Sequence, residues 1–336
     1  MRQPIKFLPY LKSTIWGGEK ISSFKNLNIN CKNIGESWEL SAVPGCESIV
    51  MDGNDCGMTL SDLVRKYKHD LVGKCVYDKY GDKFPLLVKF IDASDDLSLQ
   101  VHPDDTLAMR RHNSFGKTEM WYIIETRPDA RIRSGLTRTV DKSEYERMVS
   151  DRTLMDVVGC YDSAPGDLFF LPAGRLHAIG SGNFLVEIQQ SSDVTYRVDD
   201  YGRRDADGNL RELHTDLAKD AIDYSYYPDC RSQPVRLSDN TDGLVSCEYF
   251  KVKRETVDGE RRIANPDDSF MGIVCIGGNG SLKVDGIATS VRQGETVLLP
   301  ACTGEFDVEG AMSLITFAIP TQEYALDQNG TGDSKE

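Results

Sequence analysis

One eight-residue pattern occurs twice in this chain and constrains its fold more than any other feature. Gly166-Asp167-Leu168-Phe169-Phe170-Leu171-Pro172-Ala173 returns as Gly294-Glu295-Thr296-Val297-Leu298-Leu299-Pro300-Ala301. Each copy opens on a glycine followed by an acid, the composition of a tight turn. Four apolar residues follow, enough for a short buried strand, and Pro-Ala then ends the pairing because proline has no N–H to give the ladder. Each copy is preceded by a strand-turn-strand stretch, residues 121–135 and 270–286. A unit that recurs at this size implies that one supersecondary arrangement was built twice.

Strand-rich units of this kind close into jelly rolls of the cupin type. The expected fold is therefore mainly β, a cupin-type double jelly roll with a few peripheral α-helices. Domain boundaries are expected at 1–233 for a first, metal-binding jelly roll with helical insertions and at 234–325 for a second. A mobile polar tail is expected over 326–336. Helical spacing of apolar residues behind a Thr or Ser cap predicts a helix over 59–72, and shorter helices are expected over 104–111, capped by the Pro-Asp-Asp turn, over the polar stretch 141–151 and inside 212–227. Pro85–Ile91 reads as a buried strand carrying one charge, Lys89, and Ile34–Ser41 as a strand anchored in the core by Trp38. Asn279-Gly280 is a hairpin-turn signal.

Composition narrows the partners. The 336 residues hold 53 acids against 39 bases, a net charge of −14. That balance argues against nucleic acid and anionic membrane surfaces. It also means that an anionic small molecule would need a local cluster of Lys and Arg. No apolar run is long enough to span a bilayer, and the first residues lack a secretion pattern. The nine cysteines are scattered without a Cys-x-x-Cys pair, as expected for reduced thiols in a cytoplasmic protein. No coiled-coil pattern is present, so a monomer is the default and a homodimer the alternative.

The first unit contains an arrangement that the second lacks. Gln100 and His102 end the alternating run Leu97–His102, and residues two apart on a strand point to one face. Lys117 and Glu119 share a face in the same way as they lead into Met120–Ile124. Glutamine, histidine and glutamate are donors of a zinc-type site. A further donor, His177, follows the Pro172-Ala173-Gly174 turn, while Glu305 stands at that offset in the second copy. The second jelly roll is therefore expected to be metal-free. Beyond His177, Glu187 and Gln189 alternate with apolar neighbours and are placed on the non-core face of their strand. Lys89, Lys117, Arg197 and Arg203 are the basic groups available to neutralise an anion near the metal.

The blocks LSLQVHPDD, GKTEMWYI, LPAGRLHAIG and VEIQQSSDVTYRVDDYG, with IGESWELSA and TLSDLV before them, resemble the class I mannose-6-phosphate isomerases in their short bacterial form. The resemblance runs over about residues 1–320. One departure is Thr118, where many relatives have proline; it is expected to face away from the site. The resemblance implies one zinc ion held by Gln100, His102, Glu119 and His177, although some short members use only the two histidines and the glutamate. It implies a catalytic role for Arg197 and places Ser98, Lys89, Lys117, Glu187 and Asp193 near the sugar phosphate and the reacting carbons. Arg203 is assigned to substrate binding. The implied reaction is zinc-dependent interconversion of mannose 6-phosphate and fructose 6-phosphate by proton transfer through a cis-enediol. Asp193 is the first choice as base, with Glu187 and a neutral lysine as alternatives. Two other readings compete: another metal-dependent cupin enzyme acting on a different sugar, and a non-catalytic sugar-phosphate sensor.

Overall fold

The computed structural model describes residues 2–27, 32–204 and 208–321. The expected tail, 326–336, lies outside the described residues. Contacts divide the chain into two compact units, Leu8–Ile49 with Pro85–Arg231, and Met1–Phe7 with Val50–Phe84 and Ser232–Glu336. A single cut between 233 and 234 therefore does not describe them. The C-terminal unit recruits N-terminal segments through strand pairing, Ile5 opposite Leu298 and Lys6 opposite Val297. The two oxygens of the Asp268 carboxylate also accept from the N–H groups of Lys74 and Cys75, which start the helix Lys74–Tyr80. Contacts this distant in sequence leave no local signal.

The unit that carries the candidate site is built from two sheets. One has the order Leu168–Leu171, Glu119–Thr126, Asn183–Gln190, Leu86–Asp92, Ile34–Leu40, Tyr10–Gly18, and the other Tyr196–Asp199, Leu99–Val101, His177–Ile179, Arg131–Leu136, Val158–Asp162. Both contribute to one interior cluster, with Trp16, Ile91, Trp121, Ile123, Phe169 and Leu185 from the first and Ile132 and Ile179 from the second. Two sheets sharing a core in this way form a β-sandwich. The reverse face of the second sheet is covered by the helices Asp105–His112 and Lys142–Asp151, which pack Leu107, Tyr145 and Met148 against Leu99, Val101 and Ala178. Strand alternation then forces His177 and Gln100 inward.

Three of the expected helices start on side-chain caps. Thr59 and Asp62 form a capping box on Leu60–Tyr67, and Asp104 and Asp141 each accept from the third backbone N–H of their helices. The stretch 59–72 is nevertheless interrupted at Lys68, which adopts φ +48 before a further turn, His69–Val72. Inside 212–227 only one turn forms, Thr215–Ala218.

In the C-terminal unit the long strands Lys251–Ala264, Glu305–Ala318 and Met271–Val284 lie side by side. Here the expected turn at Asn279-Gly280 is corrected: both residues are inside Met271–Val284, and the chain reverses at Asp285-Gly286, both at positive φ. The glycines serve close strand approach, since a Cβ on Gly278 would lie 1.9 Å from the Ala311 carbonyl oxygen. The repeated octapeptides form equivalent strands, Leu168–Leu171 and Thr296–Leu299, each behind a glycine at positive φ, Gly166 and Gly294. Glu305, at the offset of His177, is exposed and pairs with Arg262 at 3.5 Å.

Candidate active site

Cross-strand register brings the distant motifs together. Across the larger sheet, Trp38 stands opposite Lys89, Lys89 opposite Glu187, and Glu187 opposite Trp121. One row along, Gln189 stands opposite Glu119. In the other sheet Gln100 is flanked by His177 on one side and Arg197 on the other. Glu187 and Gln189 are buried and share the inward face with Leu185 of the interior cluster. The expectation of a non-core face is thereby corrected: alternation groups residues by face but does not say which face is inside.

His102, Glu119 and His177 are fully buried, and their ligating atoms lie within 4.8 Å of one another. His102 Nδ1 donates to the Val194 carbonyl at 2.9 Å, and His177 Nδ1 donates to the Arg175 carbonyl at 2.8 Å. These bonds leave both Nε2 atoms as bare lone pairs. Each faces a carboxylate oxygen, His177 Nε2 to Glu119 Oε1 at 3.3 Å and His102 Nε2 to Oε2 at 3.4 Å. Glu119 Oε1 and His177 Nε2 have no hydrogen-bond partner. Acceptor facing acceptor in a dry interior is repulsive unless a cation lies between them. Burial, reinforced by Lys117, holds both imidazoles well below their ordinary pKa, His177 at about 3, and so keeps both rings neutral. Burial raises the Glu119 carboxyl, against the lowering influence of Lys117. A cation is already placed against these atoms, since Lys117 Nζ is 3.1 Å from His102 Nε2 and 3.0 Å from Glu119 Oε2. The donor set fits a divalent metal held by two neutral imidazoles and a carboxylate.

Above this cluster is a cavity of about 400 Å³ that Gln100 and Lys117 both line. Its basic lining comprises Lys12, Lys89, Lys117, Arg197 and Arg211, against the acids Glu36, Glu187 and Asp193. A chain of net charge −14 has thus gathered a local positive excess. Lys89 is buried between Glu187 at 2.9 Å and Glu36 at 3.5 Å. Burial would lower its pKa, but the two carboxylates raise it above the ordinary lysine value. Glu187 accepts from Lys89 and, through its other oxygen, from Trp121 Nε1 at 2.8 Å. Burial would raise its pKa; Lys89 and Lys117 outweigh this and hold it well below the usual carboxylate range.

Residues 5–141 match the family described as phosphomannose isomerase type I, catalytic domain, and residues 240–319 the mannose-6-phosphate isomerase cupin domain. The mannose-6-phosphate isomerase ManA of Bacillus subtilis is 36% identical over 92% of this chain and 96% of its own length. The chain belongs to the type I phosphomannose isomerases. The mannose-6-phosphate isomerase of Streptococcus mutans is 30% identical over 94% of this chain and 98% of its own. A crystal structure of the Bacillus subtilis mannose 6-phosphate isomerase superposes with a TM-score of 0.84 at 33% identity, covering 94% of this chain and 99% of that one.

For this phosphomannose isomerase, the structure groups most of the residues singled out from sequence. Ser98, Gln100, Lys89, Lys117, Glu187, Asp193 and Arg197 all line the cavity, and His102, Glu119 and His177 form the cluster. Arg203 is the exception. Its guanidinium is bound to Asp200 at 2.5 Å and to the Asp96 carbonyl, and it does not line the cavity. Sequence reading missed Glu36, Lys12 and Arg211, and took Trp38 for core alone. Trp38 is buried, yet its ring carries Lys12 and Lys89, each 5.0 Å away, and lines the cavity. Glu36 and Trp38 stand two apart on one strand, so their shared face was a readable signal. Arg211 had none.

Thr118 faces the turn that carries His177. Its Oγ1 accepts from Ala173 N–H at 3.1 Å, and its own N–H donates to Gln190 Oε1 at 2.8 Å. Thr118→Val leaves the Ala173 N–H without its acceptor and is expected to cost about 1–3 kcal/mol. A urea melt measures this, and an unchanged midpoint would show that the turn does not depend on the hydroxyl.

Proposed function

We propose that this chain is a zinc-dependent aldose–ketose isomerase that interconverts mannose 6-phosphate and fructose 6-phosphate by proton transfer through a cis-enediol. The observation that carries the reading is the buried His102–Glu119–His177 cluster beneath a cavity with more bases than acids in its lining. Gln100 is the fourth donor. Bound zinc would supply Lewis-acid polarisation of the sugar's carbonyl and hydroxyl oxygens.

The chain's own residues do the rest. Asp193 is exposed in the cavity lining, and we assign it the proton carried between C2 and C1 of the sugar. Glu187 suits that role less, because both its oxygens are engaged and a strongly acidic carboxyl is a weak base. Lys89, held charged, is likewise no neutral base. Arg197 offers a fixed positive charge to the oxygen on which negative charge develops, and Lys117 offers a second beside the cluster. Ser98 and Lys89 contribute to the sugar-binding wall. The partner is a small sugar phosphate, with no nucleic acid or membrane involved. The acidic net charge supports this reading, because it repels polyanions and anionic surfaces. We further assign the chain to the cytoplasm, as a monomer unless it pairs with a second copy.

The test is a coupled assay for fructose 6-phosphate formed from mannose 6-phosphate, run before and after chelation and again after adding back zinc or iron(II) separately. Loss on chelation with recovery by zinc is the expected result. Recovery by iron alone would replace the zinc assignment, and tight metal binding without turnover would favour a sensor.

A further inference from the structure

Two arginines converge on one buried carboxylate beside the cavity. Asp200 is 4% exposed. Its Oδ1 accepts from Arg203 at 2.5 Å and from Arg211 at 3.2 Å, and its Oδ2 is buried without a hydrogen-bond partner. Arg203 is spent here, because it also donates to the Asp96 carbonyl. Arg211 keeps part of its fork for the cavity, which it lines together with Arg197.

The segment from Arg211 to His214 is laced to Arg197. Arg197 Nη1 donates to the Glu212 carbonyl at 2.8 Å, its backbone N–H donates to His214 Nδ1 at 3.2 Å, and its carbonyl accepts from His214 N–H at 2.7 Å. Arg197 Nε is buried and has no partner. Burial lowers the Arg197 pKa, and the like charge of Arg211 lowers it further. The other cations of the lining are better matched. Lys89 lies between two carboxylates, Lys117 is against Glu119, and Lys12 is 3.9 Å from Glu36. Asp200 divides its single charge between Arg203 and Arg211, and the Arg197 guanidinium donates to a neutral carbonyl, so the Arg197–Arg211 wall carries positive charge in excess.

We infer that Arg211, set by the buried Asp200 beside Arg197, binds the phosphate of the sugar phosphate. This inference rests on the isomerase reading above. A phosphate monoester dianion matches the planar fork of an arginine and neutralises the repulsion between two of them. Arg211 is a binding residue here, and Asp200 a positioning residue that orients it.

The experiment compares the parent with Arg211→Ala, Arg211→Lys, Asp200→Asn and Lys12→Ala. It reads kcat and KM for mannose 6-phosphate and the rise in melting temperature that inorganic phosphate gives the metal-loaded protein. Arg211→Ala is expected to raise KM about 10- to 100-fold with kcat changed only a few-fold, because a uniform binding contact is lost. It also loses the stabilisation by phosphate. Arg211→Lys falls between the two, and Asp200→Asn raises KM without a matching fall in kcat. Should Asp200→Asn fail to fold, the Arg211 pair decides. A KM within twofold of the parent in folded Arg211→Ala overturns the inference, as does a larger KM rise in Lys12→Ala. An inactive parent counts against the isomerase reading alone. In that case phosphate stabilisation that is present in the parent and lost in Arg211→Ala supports the arginine pair, and persistence of the stabilisation in that variant overturns it.

Discussion

His177→Ala is expected to lower turnover of mannose 6-phosphate at least about a thousandfold, roughly 4 kcal/mol of transition-state stabilisation, and to leave the purified chain without tightly held metal. The three donors come from separate stretches of the chain, with His177 opening its own strand and Glu119 opening another. Removing one imidazole leaves one imidazole, one carboxylate and the weaker Gln100 amide, a set that holds a divalent ion only loosely. Glu119 Oε1 then faces a void instead of a lone pair, so the variant is not expected to unfold for want of that contact. Metal content per chain, measured on dialysed protein beside the coupled assay, is the deciding measurement. A variant that keeps both metal and activity would remove His177 from the site. Gln100→Ala should be milder, because Gln100 is only half-buried at the cavity edge; a loss of about 10- to 100-fold in metal affinity is expected if it acts as the weakest donor. Equal severity in the two variants would place the amide on a par with the imidazole.

Lys89→Met is expected to destabilise the chain by about 3–5 kcal/mol, because it leaves Glu187 as a buried charge that has lost its direct partner. Lys89 and Glu187 are 6% and 2% exposed and 2.9 Å apart, so water from the cavity that both line only partly replaces the missing partner. At about 2–4 °C per kcal/mol for units of this size, the melting temperature should fall by roughly 6–20 °C. The double variant Lys89→Met/Glu187→Gln should recover at least about 1 kcal/mol of the summed losses, since the second change removes the orphaned charge. Urea melts of the parent, both single variants and the double variant form the cycle. Strict additivity would mean that the pair is not coupled and that Glu187 is stabilised by Trp121 and Lys117 alone. Adding Asp193→Asn to the set tests function: if Glu187 positions Lys89 and does not carry the proton, Asp193→Asn should lower kcat more than Glu187→Gln does.

Much of the first unit was legible because strand alternation is a strict code. Gln100 with His102 and Lys117 with Glu119 were paired from spacing alone, and His177 from its place behind a Pro-Ala-Gly stop. Helix starts at Thr59, Asp104 and Asp141 were legible for a similar reason, since a cap is chemistry between residues three apart. The misreadings have one physical origin. Glu187 was put on the wrong face because alternation has a period but no absolute phase; the covering helices on the far side of the other sheet set what is inside. Asn279-Gly280 resembles a turn, yet the neighbouring strand runs so close that glycine was required for contact. The helix Lys74–Tyr80 is started by Asp268, nearly two hundred residues away in sequence.

By itself, then, the sequence determined the strand repeats, the helix starts and which residues share a strand face, because each depends on residues a few positions apart. Tertiary structure alone decided that Arg203 is consumed by Asp200 while Arg211 reaches the cavity. It also decided that Lys89 is locked between Glu36 and Glu187. An arginine or a buried lysine has the same local signature whether its charge is spent on a neighbouring carboxylate or left for a ligand. Only the positions of the partners, brought by other strands and loops, separate the two outcomes.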